Sequence, residues 1–253
     1  MRSKLAFVGL LSLPVLVAGV ASADVVTLNP VADNTLYYNE TGDLSNGAGI
    51  AMFVGMTRQS GGIGGRRALV RYDVASAVPA GATITRVEMT LTMTRGVGGN
   101  LNIGMYRLTN SWGESTSRAG DSSGGSGDLS QPGDATWVSR FHSWTNPILW
   151  NTPGGDFVST ASATLGVGTT PGRFTWGSSR LASDVQGFLA DPASNFGWIL
   201  YAPNAGAGNA KRFMTREASA TERPVLVIEY TIPSPGSFAL FSAGLAFMRR
   251  RTR

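Results

Sequence analysis

The chain has 253 residues, of which 33 are Gly and 12 Pro, too few for a low-complexity chain, and it is 42% hydrophobic with only 15% charged residues. It has no Cys and a single His, His142, which excludes disulfide scaffolds, thiolate metal sites, cysteine nucleophiles and any centre built on two imidazoles. The formal charge of +5 belongs to the ends, where Arg2, Lys4, Arg249, Arg250, Arg251 and Arg253 flank a stretch with 15 basic and 16 acidic residues, so net charge makes no case for a nucleic-acid partner.

Met1 to Ala23 has the form of a secretory signal. Arg2 and Lys4 give a positive start, Leu5 to Val20 is an apolar run broken by Pro14, and Ala21-Ser22-Ala23 is a small-x-small cleavage sequence. Cleavage is predicted after Ala23, with the mature chain starting at Asp24 outside the cytoplasm. Residues 24–232 suit one all-β sandwich or barrel, since such folds run undivided to this length. Near its start, Asp33, Asn34 and Asp43 offer hard oxygen ligands for a structural calcium ion, although their spacing is not that of an EF-hand. No other cofactor is expected.

The strand signals follow in order. Leu69 to Val74 sets Val70, Tyr72 and Val74 on one face, with Arg71 and Asp73 placed to pair on the other. From Ile84 to Arg95, Val87, Met89, Leu91 and Met93 alternate with polar residues, which predicts a half-buried antiparallel strand. Further strands are predicted at Leu101–Met105, Gly197–Tyr201 and Pro224–Tyr230, separated by turns rich in Gly, Pro and Asn. Gly61 to Gly65 lacks the Lys and following helix of a phosphate-binding loop and reads as a hairpin connection. Ser117 to Asp134 is dominated by Gly, Ser and Asp and reads as a mobile loop. One helix is expected where Leu181, Val185, Phe188 and Leu189 recur at helical spacing, with Ser183 and Gln186 spaced as a capping box and Asp191-Pro192 as the stop.

Few residues point to chemistry. Gly120-Asp-Ser-Ser-Gly-Gly125 superficially matches a serine-protease nucleophile segment, but the only His follows it and nothing supplies a positioned base. Glu114 and Asp156 are the best available pair for a glycoside hydrolase or lyase, with no local signature to support them. The aromatic concentration is more informative: Trp137, Phe141, His142, Trp144 and Trp150 lie close together with Arg140. Sugar rings stack on Trp, and Arg or His pairs with uronate carboxylates. Trp137 and Trp150 are expected in the core, whereas Trp144, beside His142 and Arg140, is expected at a surface. Lys211 and Arg212, with Arg216, form a second cationic group, unless they are solvated or linked to Glu217 and Glu222.

The C-terminal tail, residues 233–253, runs Pro233-Ser-Pro235, then twelve apolar or small residues from Ser237 to Met248, then the Arg cluster. About 20 residues are needed to cross a bilayer, so the stretch suits transient insertion rather than a permanent anchor. This order resembles the PEP-CTERM sorting signal, which implies recognition and cutting by an exosortase-type membrane protease. Pro-Ser-Pro stands here in place of the usual Pro-Glu-Pro.

Five segments together resemble the DNRLRE domain: Gly65 to Val74, Pro79 to Thr85 with its strand, Tyr106 to Glu114, Ala135 to Phe157, and Thr215 to Ala218 leading to Arg223–Tyr230. The resemblance implies a jelly-roll-like antiparallel β-sandwich of secreted and surface bacterial proteins, similar to modules that hold alginate-type polymers. The Ser117–Asp134 segment departs from it by its length. The expectation is a non-enzymatic, secreted or matrix-sorted protein with one short helix that holds an acidic polysaccharide through Arg140, His142, Trp144, Lys211 and Arg212. A structural matrix or adhesion protein without a ligand, and a polysaccharide lyase or hydrolase, are the alternatives.

Overall fold

A computed structural model of the chain describes residues 23–59, 63–120 and 124–233. The predicted signal up to Ser22 and the sorting tail from Ser234 lie outside the described residues. The chain folds as an all-β antiparallel sandwich, as the alternating strands imply, with one α-helix among the described residues. The first strands are β1 (Ala23–Leu28), β2 (Ala32–Tyr37), β3 (Leu44–Ser45), β4 (Ala51–Met56) and β5 (Gly65–Arg71). The long β6 (Thr83–Val97) and β7 (Leu101–Arg107) come next, then three short strands, β8 (Asp128–Leu129), β9 (Ser139–Phe141) and β10 (Ile148–Leu149). The last group is β11 (Ala163–Val167), β12 (Gly172–Gly177), β13 (Trp198–Tyr201), β14 (Asn209–Met214) and β15 (Val225–Thr231), with helix α1 (Ser179–Ala190) between β12 and β13.

Eleven strands join in one curled sheet in the order β1-β15-β6-β14-β4-β5-β13-β7-β11, with β12 also on β6 and β2 also on β5. Strand β6 organises it, pairing β15 along its first half, β12 along its middle and β14 at its end. Its alternation is as the sequence predicts: Val87, Met89, Leu91 and Met93 are all buried in the main core. They pack there with Trp176, Trp198 and Phe213 and with the apolar face of α1. Strands β5 and β13 are buried on both faces. Val70 and Trp198 face the main core, while Leu69 and Ile199 face a second one, where Leu36, Leu108, Trp112 and Trp150 cover the sheet. Gly197, entering β13 at φ +75°, is held against β5 so closely that a Cβ would lie 2.1 Å from the Val70 carbonyl oxygen; only glycine fits both constraints.

Helix α1 buries Leu181, Val185, Phe188 and Leu189 and ends at Asp191, but its start is earlier than the capping-box spacing suggests. Ser178 is the N-cap, accepting from the Leu181 N–H at 3.0 Å. Ser183 lies inside the helix, bonded back to the Ser179 carbonyl, and Gln186 instead clamps Ile84 N–H and the Ala82 carbonyl of the incoming β6 segment. Ser178→Ala should therefore lower stability by about 1 kcal/mol in thermal unfolding, whereas Ser183→Ala should leave it nearly unchanged.

Two further expectations are corrected. Arg71 and Asp73 do not pair: Arg71 lies over the Trp112 ring at 5.9 Å and Asp73 accepts from Ser76 N–H. The described parts of the Ser117–Asp134 segment are tethered, not free. Ser117 is buried, bonded to Gly47 N–H and Ala48 N–H; Ala119 N–H reaches Asn46; β8 pairs with β3; and the buried Asp134 accepts from Ser115 and Gln131 N–H. Short polar side chains bond readily to nearby main chain, so a composition that reads as loop can still be fixed. Strands β4 and β5 pair as neighbours in sequence, with Met56 opposite Gly65, and residues 60–62 of the predicted connection lie outside the described residues.

The first and last strands of the body are neighbours, with Ala23 opposite Thr231 and Asp24 opposite Tyr230. The two ends of the folded part therefore sit at adjacent strand ends on one edge of the sheet.

Candidate functional site

A groove of roughly 330 Å³ lies across the ends of β4, β6 and β14. Register builds it. Arg212 of β14 stands opposite Phe53 of β4 on one side and Arg95 of β6 on the other, so the three side chains share one face of the sheet. Arg58, following β4, completes the cationic wall; its side chain crosses Gly208, where a Cβ would lie 2.4 Å from the guanidinium Nε. None of the described lining residues is acidic, and among the described residues no carboxylate comes within ion-pair distance of Arg58 or Arg95. Arg212 Nη1 donates to Thr94 Oγ1 at 2.7 Å, which fixes the guanidinium on the sheet face.

Two buried cations support this wall from beneath. Arg66 is almost fully buried beside the Tyr37 ring, donating through Nε to the Gly125 carbonyl at 2.9 Å and through Nη2 to Gln59 at 2.7 Å, and so positions two lining residues. Burial pulls its guanidinium down to about 10. Lys211 belongs to the groove lining, but its side chain is on the opposite face of β14 from Arg212 and is buried. Its stem fills the sandwich and its ammonium donates to the Val97 and Gly99 carbonyls and to Asn209 Oδ1. Desolvation lowers its pKa. Lys211 therefore supplies charge and fixes the β6–β7 turn, with its three protons already taken.

The other expected contact residues do not line this groove. Arg140, in β9, is turned to the Ser111 carbonyl and hydroxyl and lies over the Phe141 ring. His142 meets Trp144 edge-on with ring centres 4.7 Å apart. Trp144 is 63% exposed, beside the exposed Ile148 and Leu149 of β10, so the expected surface position is what the structure places there. Trp144→Ala should change stability by less than about 0.5 kcal/mol in thermal unfolding, as an exposed side chain with a single ring contact. Trp150 is buried, with its indole N–H on the Thr136 carbonyl, as expected for a core residue. Trp137 is half-buried and belongs to an aromatic box with Phe157 and Tyr201 that encloses Arg67, whose guanidinium carbon is 3.9 Å from the Tyr201 ring centre. Nothing local in the sequence marks that box, since its members come from four separate segments.

The acidic candidates are engaged elsewhere. Asp156 accepts from Asn151 and Thr152 N–H and from Asn110, closing the 151–156 turn. Glu114 is salt-bridged to Arg216 at 3.0 Å and accepts from Asp33 N–H; burial, the larger influence, raises its pKa despite Arg216. The expected calcium set also divides. Asn34 Oδ1 is used by Thr35 N–H, Ser45 and Asn46 N–H, and Asp43 by Asn39 and Thr41. Asp33 alone of the three joins an acidic cluster, with Glu114 and Glu217. Comparison of the chain with protein-family models and with curated proteins finds no match.

Proposed function

We propose that the protein is a secreted or surface-sorted module that holds an acidic extracellular polysaccharide without transforming it, in the groove walled by Arg58, Arg95 and Arg212. The observation that carries this reading is the placement of Arg95 and Arg212 directly opposite each other on neighbouring strands of a groove with no acidic lining residue among those described. Guanidinium forks suit carboxylates presented along a uronate polymer, and Phe53 and Val97 offer apolar surface to the C–H faces of the rings. The DNRLRE resemblance points to the same ligand class. Export by the N-terminal signal, followed by transient membrane insertion and exosortase-type cleavage at the PEP-CTERM-like tail, would deliver the module to the cell surface or matrix.

Affinity electrophoresis through polyuronate, sulfated and neutral polysaccharides tests the ligand class. Retention by polyuronate that fades with salt is expected, because exposed charges are screened beyond about 10 Å at 0.1 M. Equal retention by neutral polymers would overturn the acidic-ligand reading, and retention by none would favour a structural matrix role.

A further inference from the structure

We infer that Asp33, Glu114 and Glu217 form a binding site for one divalent cation of the calcium class, independent of the polysaccharide groove. The three carboxylates come from β2, from the segment after β7 and from the segment after β14, and their ligand oxygens lie within 4.8 Å of one another. Oxygens bound to one calcium at about 2.4 Å lie no more than about 4.8 Å apart, so the cluster has the span of a calcium shell.

The hydrogen bonding leaves specific oxygens over. Asp33 is fully buried; its Oδ2 accepts from the Arg216 N–H at 2.8 Å, while Oδ1 has no partner within the protein. Glu217 Oε1 meets Arg216 Nε at 3.1 Å, and its Oε2 is buried and also without a partner. Both Glu114 oxygens face Arg216, and Oε1 accepts in addition from Asp33 N–H. A carboxylate oxygen buried with no donor is expensive, and such groups coordinate a metal or give up their charge. Arg216 balances one of the three carboxylates, which leaves two charges for a divalent ion to neutralise. Burial, followed by the nearby Glu217, raises the Asp33 pKa well above the usual carboxylate range when no cation is present.

The donor set is all oxygen, which favours calcium over zinc. Glu217 has a side chain 21% exposed, so water from that side can complete the six to eight ligands that calcium takes. The rival occupant is a proton shared between Asp33 and Glu217.

The test is thermal unfolding and calorimetric titration of the full chain, stripped with chelator and then supplied with calcium or magnesium. One calcium should bind per chain and raise the melting temperature by about 5 °C or more, since a ligand of the folded state alone stabilises by mass action. Glu217→Gln, the more exposed and safer change, and Asp33→Asn should each remove that rise. A wild-type chain that neither binds calcium nor responds to it would overturn the site in favour of the shared proton. A rise that persists in Glu217→Gln would place the ion elsewhere and overturn it equally. An equal rise with magnesium would overturn the assignment to calcium.

Discussion

The double variant Arg95→Ala/Arg212→Ala should lose at least tenfold in affinity for polyuronate, about 1.4 kcal/mol, with a loss of only about 1 kcal/mol in thermal stability. Each guanidinium removed takes away a charge-assisted hydrogen bond worth about 1.5–3 kcal/mol where it is fully formed, and solvent screening in an open groove reduces that. The stability loss should be small, because Arg95 is exposed and Thr94, the partner of Arg212, can bond to water in its place. A large loss of affinity with a small loss of stability is the signature of residues placed for a ligand rather than for the fold. Affinity gels and thermal unfolding on the same preparation measure both. Unchanged affinity would remove the groove from consideration.

Trp198→Ala should be among the most damaging single changes, costing about 3–5 kcal/mol and lowering the melting temperature by about 10 °C or more. Trp198 is fully buried in β13, tilted against Tyr72 at 6.5 Å and edge-on to Phe188 of α1 at 5.2 Å. Its indole N–H donates to Asp184 Oδ2 at 3.0 Å, and the same carboxylate accepts from Ser162 and faces Arg107 at 3.6 Å. The truncation thus opens a cavity and also takes a donor from the carboxylate that ties α1 to the sheet. Trp198→Phe, which keeps most of the volume and loses only the donor, should cost clearly less. Equal losses in the two variants would show that the Asp184 bond, not the packing, dominates.

The architecture was legible where side-chain period and burial coincide. In β6 the two-residue alternation of Val87, Met89, Leu91 and Met93 is the direct imprint of one buried face, and in α1 the positions of Leu181, Val185, Phe188 and Leu189 are the imprint of another. Which strands pair is a different matter, because register depends on contacts between distant segments. Lys211 and Arg212 stand out in the sequence as adjacent cations and both belong to the groove lining, yet alternation sends their side chains to opposite faces, and that of Lys211 is buried. Arg58 and Arg95 carry no local signal; only the pairing of β14 with β4 and β6 brings them to Arg212. The acidic cluster was hidden for the same reason. Asp33 bonds to residues 81 and 183 positions away, so its nearest acidic neighbours in sequence were the wrong ones to group with it. Trp144 was readable because exposure on a short hairpin follows from its polar surroundings.

The most direct measurement of where an acidic polymer rests is arginine-directed chemical footprinting of the protein with and without oligouronate, read by mass spectrometry. Protection should concentrate on Arg58, Arg95 and Arg212 while Arg86, near the start of β6, and Arg173, in β12, neither of which lines the groove, react as before. Protection centred on Arg140, or no protection under conditions where the polymer binds, would contradict the groove as the binding site.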